Sequence, residues 1–232
     1  MSMSPGGEAP LVSSLLMAAV PARVAGVEQL VVCTPPAAAG PLAPVLAAGI
    51  QACGVDRVFT VAAMARVTGL VGVASLPGPT ETLLIADESA DPEVVAADLL
   101  AQAEHAADAW PILLTPSPTL AGQVQRAVGE QLPDLARRHI AATSLGERGA
   151  IVLTSDVDQA IEPANRFAPE HLCLLLKDPW LYVERIRNAG GIFVGEAACE
   201  ALGDYIAGPS TSCPPAVRPG GRHRSRYATS CG

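Results

Sequence analysis

The chain has 232 residues, of which 50% are hydrophobic, 16% are charged and only 3% are aromatic. This length suits one large domain or two small ones, and the hydrophobic share is sufficient for a buried core. The formal net charge of -8 and the scarcity of aromatic rings argue against nucleic acid as the partner of the main body.

The cysteines and the apolar runs indicate the compartment. None of the six cysteines has C-x-x-C spacing or clusters with histidine, which is typical of reduced thiols in the cytoplasm. The opening MSMSPGGEAP lacks the charged and apolar regions of a secretory signal. Proline, glycine or charge interrupts the apolar runs well before about 18 residues, so no membrane span is predicted. We therefore expect a cytoplasmic protein without a membrane partner.

Strand and helix patterns alternate from the start of the chain. LVSSLLMAAVPARVAG predicts a helix, QLVVCTPP a strand, PLAPVLAAGIQACG a helix that stops at Gly54, and RVFTVA a second strand. These elements form one α/β unit, to which we assign residues 1–75.

The second predicted unit, residues 76–210, repeats the strand–helix pair several times. TLLIADES predicts a strand, and DPEVVAADLLAQAEHAADA predicts a helix with Asp91 as its cap and Pro92 in its first turn. The buried stripe of this helix comprises Val95, Leu99, Leu100 and Ala103. Further pairs follow in PILLTPS with TLAGQVQRAVGEQL, AIVLTSD with VDQAIEPANRFA, and HLCLLLKD with PWLYVERIRNAG, before a last strand in GIFVG.

Continuous apolar strands between amphipathic helices predict an α/β fold of Rossmann-like units, with parallel sheets covered by helices on both faces. In such folds ligands bind at the carboxyl ends of the strands. The sequence contains neither G-x-G-x-x-G nor G-x-x-x-x-G-K-[ST], so the standard phosphate-binding fingerprints are absent. No residue is therefore assigned to cofactor binding.

Three short motifs carry side chains able to bind a metal or move a proton. Gln102 and His105, three apart on the predicted helix, could bind a metal from one face, although spacing alone favours two surface residues. Glu170 and His171, at the start of a strand, offer a carboxylate and a proton acceptor, although a solvent-facing pair is favoured roughly three to one. Asp204 follows a glycine and alone fits a turn aspartate.

Taken together, the motifs resemble the histidinol dehydrogenase family. The stretches that carry the resemblance, in order and spacing, are LPGPTETLLIADESADPEVVAADLLAQAEH, GAIVLTSDVDQAIEPANRFAPEHLCLLLKDPW, RIRNAGGIFVG and ALGDYIAGPS. The resemblance covers residues 5–210. It implies an NAD-dependent, two-step oxidation of L-histidinol to L-histidine by a homodimer in which zinc holds the substrate.

The resemblance also implies roles for individual residues. Gln102, His105 and Asp204 correspond to metal ligands. His171 corresponds to the general base, and Glu170 to its neighbour that activates water in the second oxidation. Thr80 corresponds to the hydroxyl of the family's GP[ST]E motif and implies a substrate contact. The implied substrate pocket comprises Thr80, Gln102, His105, His171 and Asp204. The alternative is an inactive remnant that binds metal or imidazole ligands without turnover.

Two departures from the family pattern bear on activity. After Val61–Ala63 the stretch that contacts NAD in the family is missing. After Ser210 the family continues as HVLPTGG, whereas this chain reads TSCPPAVRPGGRHRSRYATSCG, a sequence whose codons can encode HVLPTGGTARWASP when read one base out of register. We therefore expect residues 211–232 to be a frameshifted, disordered tail, and an intact reading frame on resequencing would reject this hypothesis.

A shifted frame has chemical consequences. In the family the lost segment supplies a histidine as fourth metal ligand and reaches the other subunit, so its loss puts the homodimer in doubt. The arginines of the tail offer a second explanation, a nucleic-acid-binding arm. That explanation predicts strongly salt-dependent binding that disappears when residues 211–232 are removed.

Overall fold

The computed structural model describes residues 12–34, 42–60 and 80–198, and the backbone of Ser2–Met3 and Ala228–Thr229. Residues 12–34 and 42–60 belong to one compact unit and residues 80–198 to a second, and the boundary between residues 75 and 76 stays a prediction. None of the helices in these ranges is long and apolar enough to cross a membrane.

The first unit contains a three-stranded parallel sheet and two helices. Its elements are β1 (Ser2–Met3), α1 (Val12–Val24), β2 (Val31–Thr34), α2 (Pro44–Ala52) and β3 (Arg57–Thr60), and the strand order is β1-β2-β3. The core forms where α1 and α2 pack on β2, and its buried members include Leu15, Ala19, Val32, Leu46 and Ile50. The four predicted elements of this unit are thus confirmed. Gly54 adopts φ +61° just after α2, which is the left-handed conformation that a helix-stopping glycine supplies.

Asp56 ties three segments of the first unit together. Its Oδ2 accepts hydrogen bonds from the Leu30 amide at 2.7 Å and from Arg23 Nη2 at 2.9 Å. Arg23 also donates to the carbonyl of Gly54. The hydrogen bond from the Leu30 amide has the largest effect on the pKa of Asp56, and that from the Arg23 guanidinium has the next largest. Both hold this pKa below its ordinary value of 3.8.

The second unit contains a six-stranded sheet of parallel strands in the order β6-β5-β4-β7-β8-β9. The chain moves from β4 to one side through β5 and β6, then crosses to β7 and β8 on the other side. The crevice between β4 and β7 is therefore the switch point of a doubly wound sheet. The elements in chain order are β4 (Glu81–Ala86), α3 (Pro92–Ala103), β5 (Trp110–Thr115), α4 (Pro118–Gln131), a 3-10 turn (Leu132–Asp134), α5 (Arg138–Glu147), β6 (Ala150–Leu153), α6 (Val157–Phe167), β7 (His171–Leu175), α7 (Trp180–Val183), β8 (Gly191–Val194) and β9 (Ala228–Thr229).

Alternating residues of β4 and β7 pack on opposite faces of this sheet. Leu84 and Cys173 belong to the core under α3 and α4. Leu83 and Leu172 belong to the core under α6. This period of two confirms the predicted sheet with helices on both faces. The edge strand β6 does not show this alternation of burial, because all four of its residues are exposed.

Side chains cap the amino ends of helices α3, α4 and α6 in the second unit. Asp91 accepts from the Glu93 amide at the start of α3, and Pro92 occupies the first turn, both as predicted. Ser117 accepts from the Leu120 amide at the start of α4, and Asp156 from the Gln159 amide at the start of α6. Each cap satisfies one backbone donor that the helix itself leaves without a partner. The predicted stripe of α3 is buried throughout: Val95, Leu99, Leu100 and Ala103.

Three segments differ from the sequence-based expectation. Helix α5 was not predicted, because Ala141 and Ser144 are its only buried residues and leave little apolar periodicity. PWLYVERIRNAG was predicted as one helix but is helical only over Trp180–Val183, since the amides of Arg187 and Asn188 donate to Asn165 Oδ1 of α6. Within the tail predicted to be disordered, Ala228–Thr229 forms a short strand beside β8; the rest of the tail lies outside the described residues.

A side-chain carboxylate fixes the end of β4, and a left-handed backbone conformation fixes the end of α6. At the carboxyl end of β4, Asp87 Oδ1 accepts from the amide and hydroxyl of Ser89, and its Oδ2 accepts from the Lys177 amide just beyond β7. Asp87 therefore links the carboxyl ends of β4 and β7 at the switch point. At the end of α6, Ala168 has φ 55° and ψ 58°, a left-handed conformation that turns the chain toward Glu170.

Candidate functional site

The described candidate residues lie at the end of the second sheet that is formed by the amino ends of its strands. Thr80 directly precedes β4, Glu170 directly precedes β7, and His171 is the first residue of β7. Helix α3 follows β4 and runs back along the sheet, so its last turn returns Gln102 to the same edge. The expectation that a ligand binds at the carboxyl ends is therefore not met by these residues.

Gln102 and His171 are both neighbours of one threonine, Thr82. The Thr82 hydroxyl donates to Gln102 Oε1 at 2.7 Å, and the side chains of both residues are buried. Thr82 is also the register partner of His171 in the neighbouring strand. Because residues opposite each other in a parallel pair point to the same face, Thr82 and His171 both face α3. The structure therefore brings the predicted amide and the predicted imidazole to one place.

The amide nitrogen of Gln102 lacks a hydrogen-bond partner. Gln102 is only 3% exposed, and its Nε2 is buried without a hydrogen-bond partner. A buried polar atom in this state carries an uncompensated desolvation cost and indicates a missing polar or ionic partner. Gln102 therefore fits a ligand-binding position better than a surface position on an amphipathic helix.

Glu170 and His171 are held by contacts on several sides. The Thr80 hydroxyl donates to Glu170 Oε2 at 2.8 Å, and the Glu170 carbonyl accepts from the Gly191 amide at 2.8 Å. The His171 ring meets the Phe193 ring edge-on, with centroids 5.7 Å apart. These contacts fix the carboxylate and the imidazole at the start of β7, both partly exposed to an approaching ligand.

His105 lies outside helix α3. The sequence places Gln102 and His105 on one helix, but α3 ends at Ala103, and His105 lies exposed in the following turn. Its amide still donates to the Gln102 carbonyl at 3.1 Å, so the two residues stay one turn apart. Asp204 lies outside the described residues. Within those residues, no group of three or more His, Cys, Asp or Glu side chains is arranged to hold a metal.

Comparison with known proteins assigns the family. The family model for histidinol dehydrogenase matches residues 4–65 and 58–218, which together are most of the chain. The chain belongs to the histidinol dehydrogenase family. The histidinol dehydrogenase of Deinococcus radiodurans is 46% identical, over 90% of this chain and 56% of that protein. That of Thermus thermophilus is also 46% identical, over 90% of this chain and 57% of that protein.

The fold of a histidinol dehydrogenase agrees with this assignment. The crystal structure of histidinol dehydrogenase from Elizabethkingia anophelis superimposes with a TM-score of 0.81 at 34% identity, and it covers 92% of this chain and 56% of that one. The chain thus spans slightly more than half the length of the histidinol dehydrogenases it matches. The predicted family resemblance is confirmed.

The comparisons also agree with the predicted internal deletion. The alignment with the Deinococcus protein runs over 243 residues, which exceeds the 232 residues of this chain although it covers only 90% of them. The two matches to the histidinol dehydrogenase family overlap at residues 58–65, around the predicted gap after Ala63. The second match runs to residue 218, past Ser210, where we predict the change of reading frame.

Sequence reasoning missed Thr82. The residue follows Glu81 in a buried strand, and a β-branched residue at such a position ordinarily serves as packing. Its role depends on the register that sets it opposite His171 and on the approach of α3. Neither can be read from the sequence of β4 alone.

Proposed function

We propose that this chain carries the substrate-oxidising residues of a histidinol dehydrogenase, which converts L-histidinol through the aldehyde to L-histidine with NAD as oxidant. Family membership supports this activity. The observation that carries the proposal is the Glu170–His171 pair, fixed at the start of β7 beside the buried amide of Gln102. A carboxylate, an imidazole and an amide around one edge are the groups that the two oxidations require.

His171 acts as the base in this proposal. Oxidation of an alcohol needs the hydroxyl proton removed as hydride leaves the carbon, and imidazole is suited to that transfer at neutral pH. The edge-on contact with Phe193 fixes the ring plane. The imidazole then accepts the hydroxyl proton without first losing orientational freedom.

Glu170 acts in the second oxidation. The aldehyde must be attacked by water, and a carboxylate accepts the proton of that water. The hydrogen bond from Thr80 engages Glu170 Oε2 and leaves Oε1 as the acceptor. We therefore propose that Thr80 orients Glu170 as well as contacting the substrate.

For zinc, the described residues fit in part. Gln102 has a buried amide end that lacks a partner, and His105 lies one turn further on; with Asp204 these residues form the ligand set that we propose. Amide oxygen, imidazole and carboxylate together are acceptable donors for zinc. Bound there, zinc would anchor and polarise the amino alcohol.

For NAD, the described residues offer no comparable fit. They contain no glycine-rich phosphate loop, and the relatives carry an internal stretch that this chain lacks. NAD belongs to the proposal as the oxidant that the family activity requires. No residue of this chain is proposed to bind it.

The missing stretch favours a second candidate, a protein that binds zinc and imidazole ligands without turnover. One assay separates the two candidates. Purified protein is mixed with zinc, L-histidinol and NAD, and NADH is followed by absorbance. The enzyme predicts NADH production that His171→Ala abolishes and that His139→Ala, which changes an exposed histidine on α5, leaves intact. The binding protein predicts no NADH but a zinc-dependent rise in Tm with L-histidinol.

The cytoplasmic location also belongs to this proposal; the homodimer is the family's state, and the altered segment after Ser210 puts it in doubt for this chain. The family activity is that of a biosynthetic enzyme, and the reduced cysteines predicted from the sequence suit the cytoplasm. The homodimer is tested by light scattering of the purified chain, where the mass of a monomer would reject it. The absence of a nucleic-acid partner is tested by titration with duplex DNA at low salt.

A further inference from the structure

We propose that Thr82 is a positioning residue that determines which atom of the Gln102 amide faces the candidate metal site. This inference rests on the proposed function, because it takes Gln102 as a metal ligand. It concerns a residue that carries no role in the family resemblance. It starts from two observations on the same amide: the hydrogen bond with Thr82 and the nitrogen that has no partner.

The geometry ties the amide to one side chain. Thr82 is fully buried and Gln102 is 3% exposed, so solvent cannot replace a hydrogen bond between them. As described, Thr82 Oγ1 donates to Gln102 Oε1 at 2.7 Å. The oxygen is then occupied, and the end of the amide that points elsewhere is the nitrogen. An amide nitrogen only donates hydrogen bonds and cannot bind a cation.

Rotation of the amide by half a turn exchanges its two ends. Oxygen and nitrogen are almost the same size, and the terminal torsion of glutamine is broadly two-fold. After the exchange, Nε2 donates to Thr82 Oγ1, and Oε1 occupies the place where the nitrogen has no partner. A cation beside that place would bind the oxygen, so both ends of the amide would be satisfied.

The threonine hydroxyl supports both orientations, because a hydroxyl donates one hydrogen bond and accepts others. Without zinc it donates to Oε1, and with zinc it accepts from Nε2. Valine has the same shape but supports neither orientation. Serine keeps the hydroxyl and supports both. Thr82 therefore acts on the metal only through Gln102.

The expected effect is a loss of zinc affinity. Residues that orient a metal ligand typically contribute 10-fold to 100-fold in metal affinity, and we expect a loss of about that size for Thr82→Val. We expect Thr82→Ser to keep an affinity close to that of the unchanged protein. This rescue by the conservative variant separates a hydrogen-bonding role from simple packing.

The experiment measures zinc affinity by competition with a chromophoric chelator on the full chain. The variants are Thr82→Val, Thr82→Ser and Gln102→Ala, together with the double variant Thr82→Val/Gln102→Ala. The matched control is Thr115→Val, which removes another fully buried threonine hydroxyl, at the opposite end of the neighbouring strand β5. Circular dichroism checks that each variant folds. If Thr82→Val fails to fold, Thr82→Ala replaces it.

The outcomes distinguish this inference from the proposed function. Support requires that Thr82→Val weakens zinc binding, that Thr115→Val does not, and that Thr82→Val has no further effect once Gln102 is alanine. If Gln102→Ala weakens zinc binding and Thr82→Val does not, the positioning role alone is rejected. An equal loss from Thr82→Val in both backgrounds also rejects it, since the effect then bypasses Gln102. If Gln102→Ala leaves zinc affinity unchanged, both the inference and the proposed zinc site are rejected.

Discussion

Among the residues that the structure describes, Asp56 has an environment that makes stability depend on pH. The Leu30 amide and the Arg23 guanidinium stabilise its ionised form and hold its pKa below 3.8. A carboxyl whose pKa is depressed by folding contributes its full stabilisation above its ordinary pKa. That stabilisation is lost as the pH falls from 3.8 through the lower pKa of the folded state.

We therefore predict that the first unit loses stability as the pH falls below 3.8, and that Asp56→Asn makes this loss smaller. The measurement is hydrogen exchange of peptides from residues 12–60 as a function of pH, corrected for the intrinsic exchange rates. Glu28→Gln is a suitable control, because it removes an exposed carboxyl in the same unit. An identical pH dependence for Asp56→Asn and the unchanged protein would contradict the prediction.

Single residues of the candidate site were only partly predictable. The residue types of Gln102, Glu170 and His171 suggested their chemistry, and the family resemblance suggested their roles. The hydrogen bond between Thr80 and Glu170 joins residues 90 positions apart. It depends on the lateral order of β4 and β7, which a linear pattern does not contain.

Among the elements, helix α3 has the greatest bearing on the site, because it carries Gln102 in its last turn. Its start is fixed twice: Asp91 Oδ1 accepts from the Glu93 amide at 2.9 Å, and the Asp91 amide donates to Glu196 Oε1 at 2.7 Å. The carboxylate also opposes the positive end of the helix dipole. Loss of this cap destabilises the helix from the end opposite to Gln102.

We predict that Asp91→Ala lowers the free energy of unfolding of the second unit by about 1 kcal/mol, whereas Asp91→Ser largely preserves it. Urea unfolding followed by tryptophan fluorescence measures this unit, since Trp110 and Trp180 both lie in it. Asp108→Ala changes an exposed turn aspartate and is expected to have little effect. A change for Asp91→Ala no larger than that for Asp108→Ala would refute the capping role.

Elements were predictable where hydrophobic periodicity was strong. Strands β4, β5 and β7 are continuous apolar runs, and the buried stripe of α3 is complete, so both patterns identified them. Helix α5 is held by Ala141 and by the buried Ser144 hydroxyl, which donates to the Ala109 carbonyl at 3.0 Å. A helix anchored by a small residue and a polar contact leaves no apolar signal. The segment after α7 depends on Asn165, a tertiary contact that overrides local helix propensity.

For the molecule as a whole, the apolar edge strand of the second sheet bears on association between molecules. Among the strands that the structure describes, only β5 pairs with β6, whose side chains Ile151, Val152 and Leu153 are 38%, 43% and 56% exposed. An edge strand that is apolar and uncovered is a template for pairing with another chain. We expect this edge to drive association of the purified protein.

We predict that Val152→Lys reduces concentration-dependent association, as measured by dynamic light scattering, without abolishing folding. A charge on an edge strand opposes strand pairing between molecules because it would have to be desolvated. The matched control is Leu181→Lys, which changes a residue that is 72% exposed on α7, away from any strand edge. Association that persists unchanged in Val152→Lys, or that falls equally in Leu181→Lys, would reject the role of β6.

The two ends of the second sheet carry different functional groups. At the carboxyl end, Asp87 accepts the amides of Ser89 and Lys177, which are donors that a phosphate would otherwise need. A dinucleotide entering this crevice would bring its pyrophosphate against a fixed carboxylate. Under the proposed function, we therefore expect the hydride acceptor to approach from the other end of the sheet, where Glu170 and His171 lie.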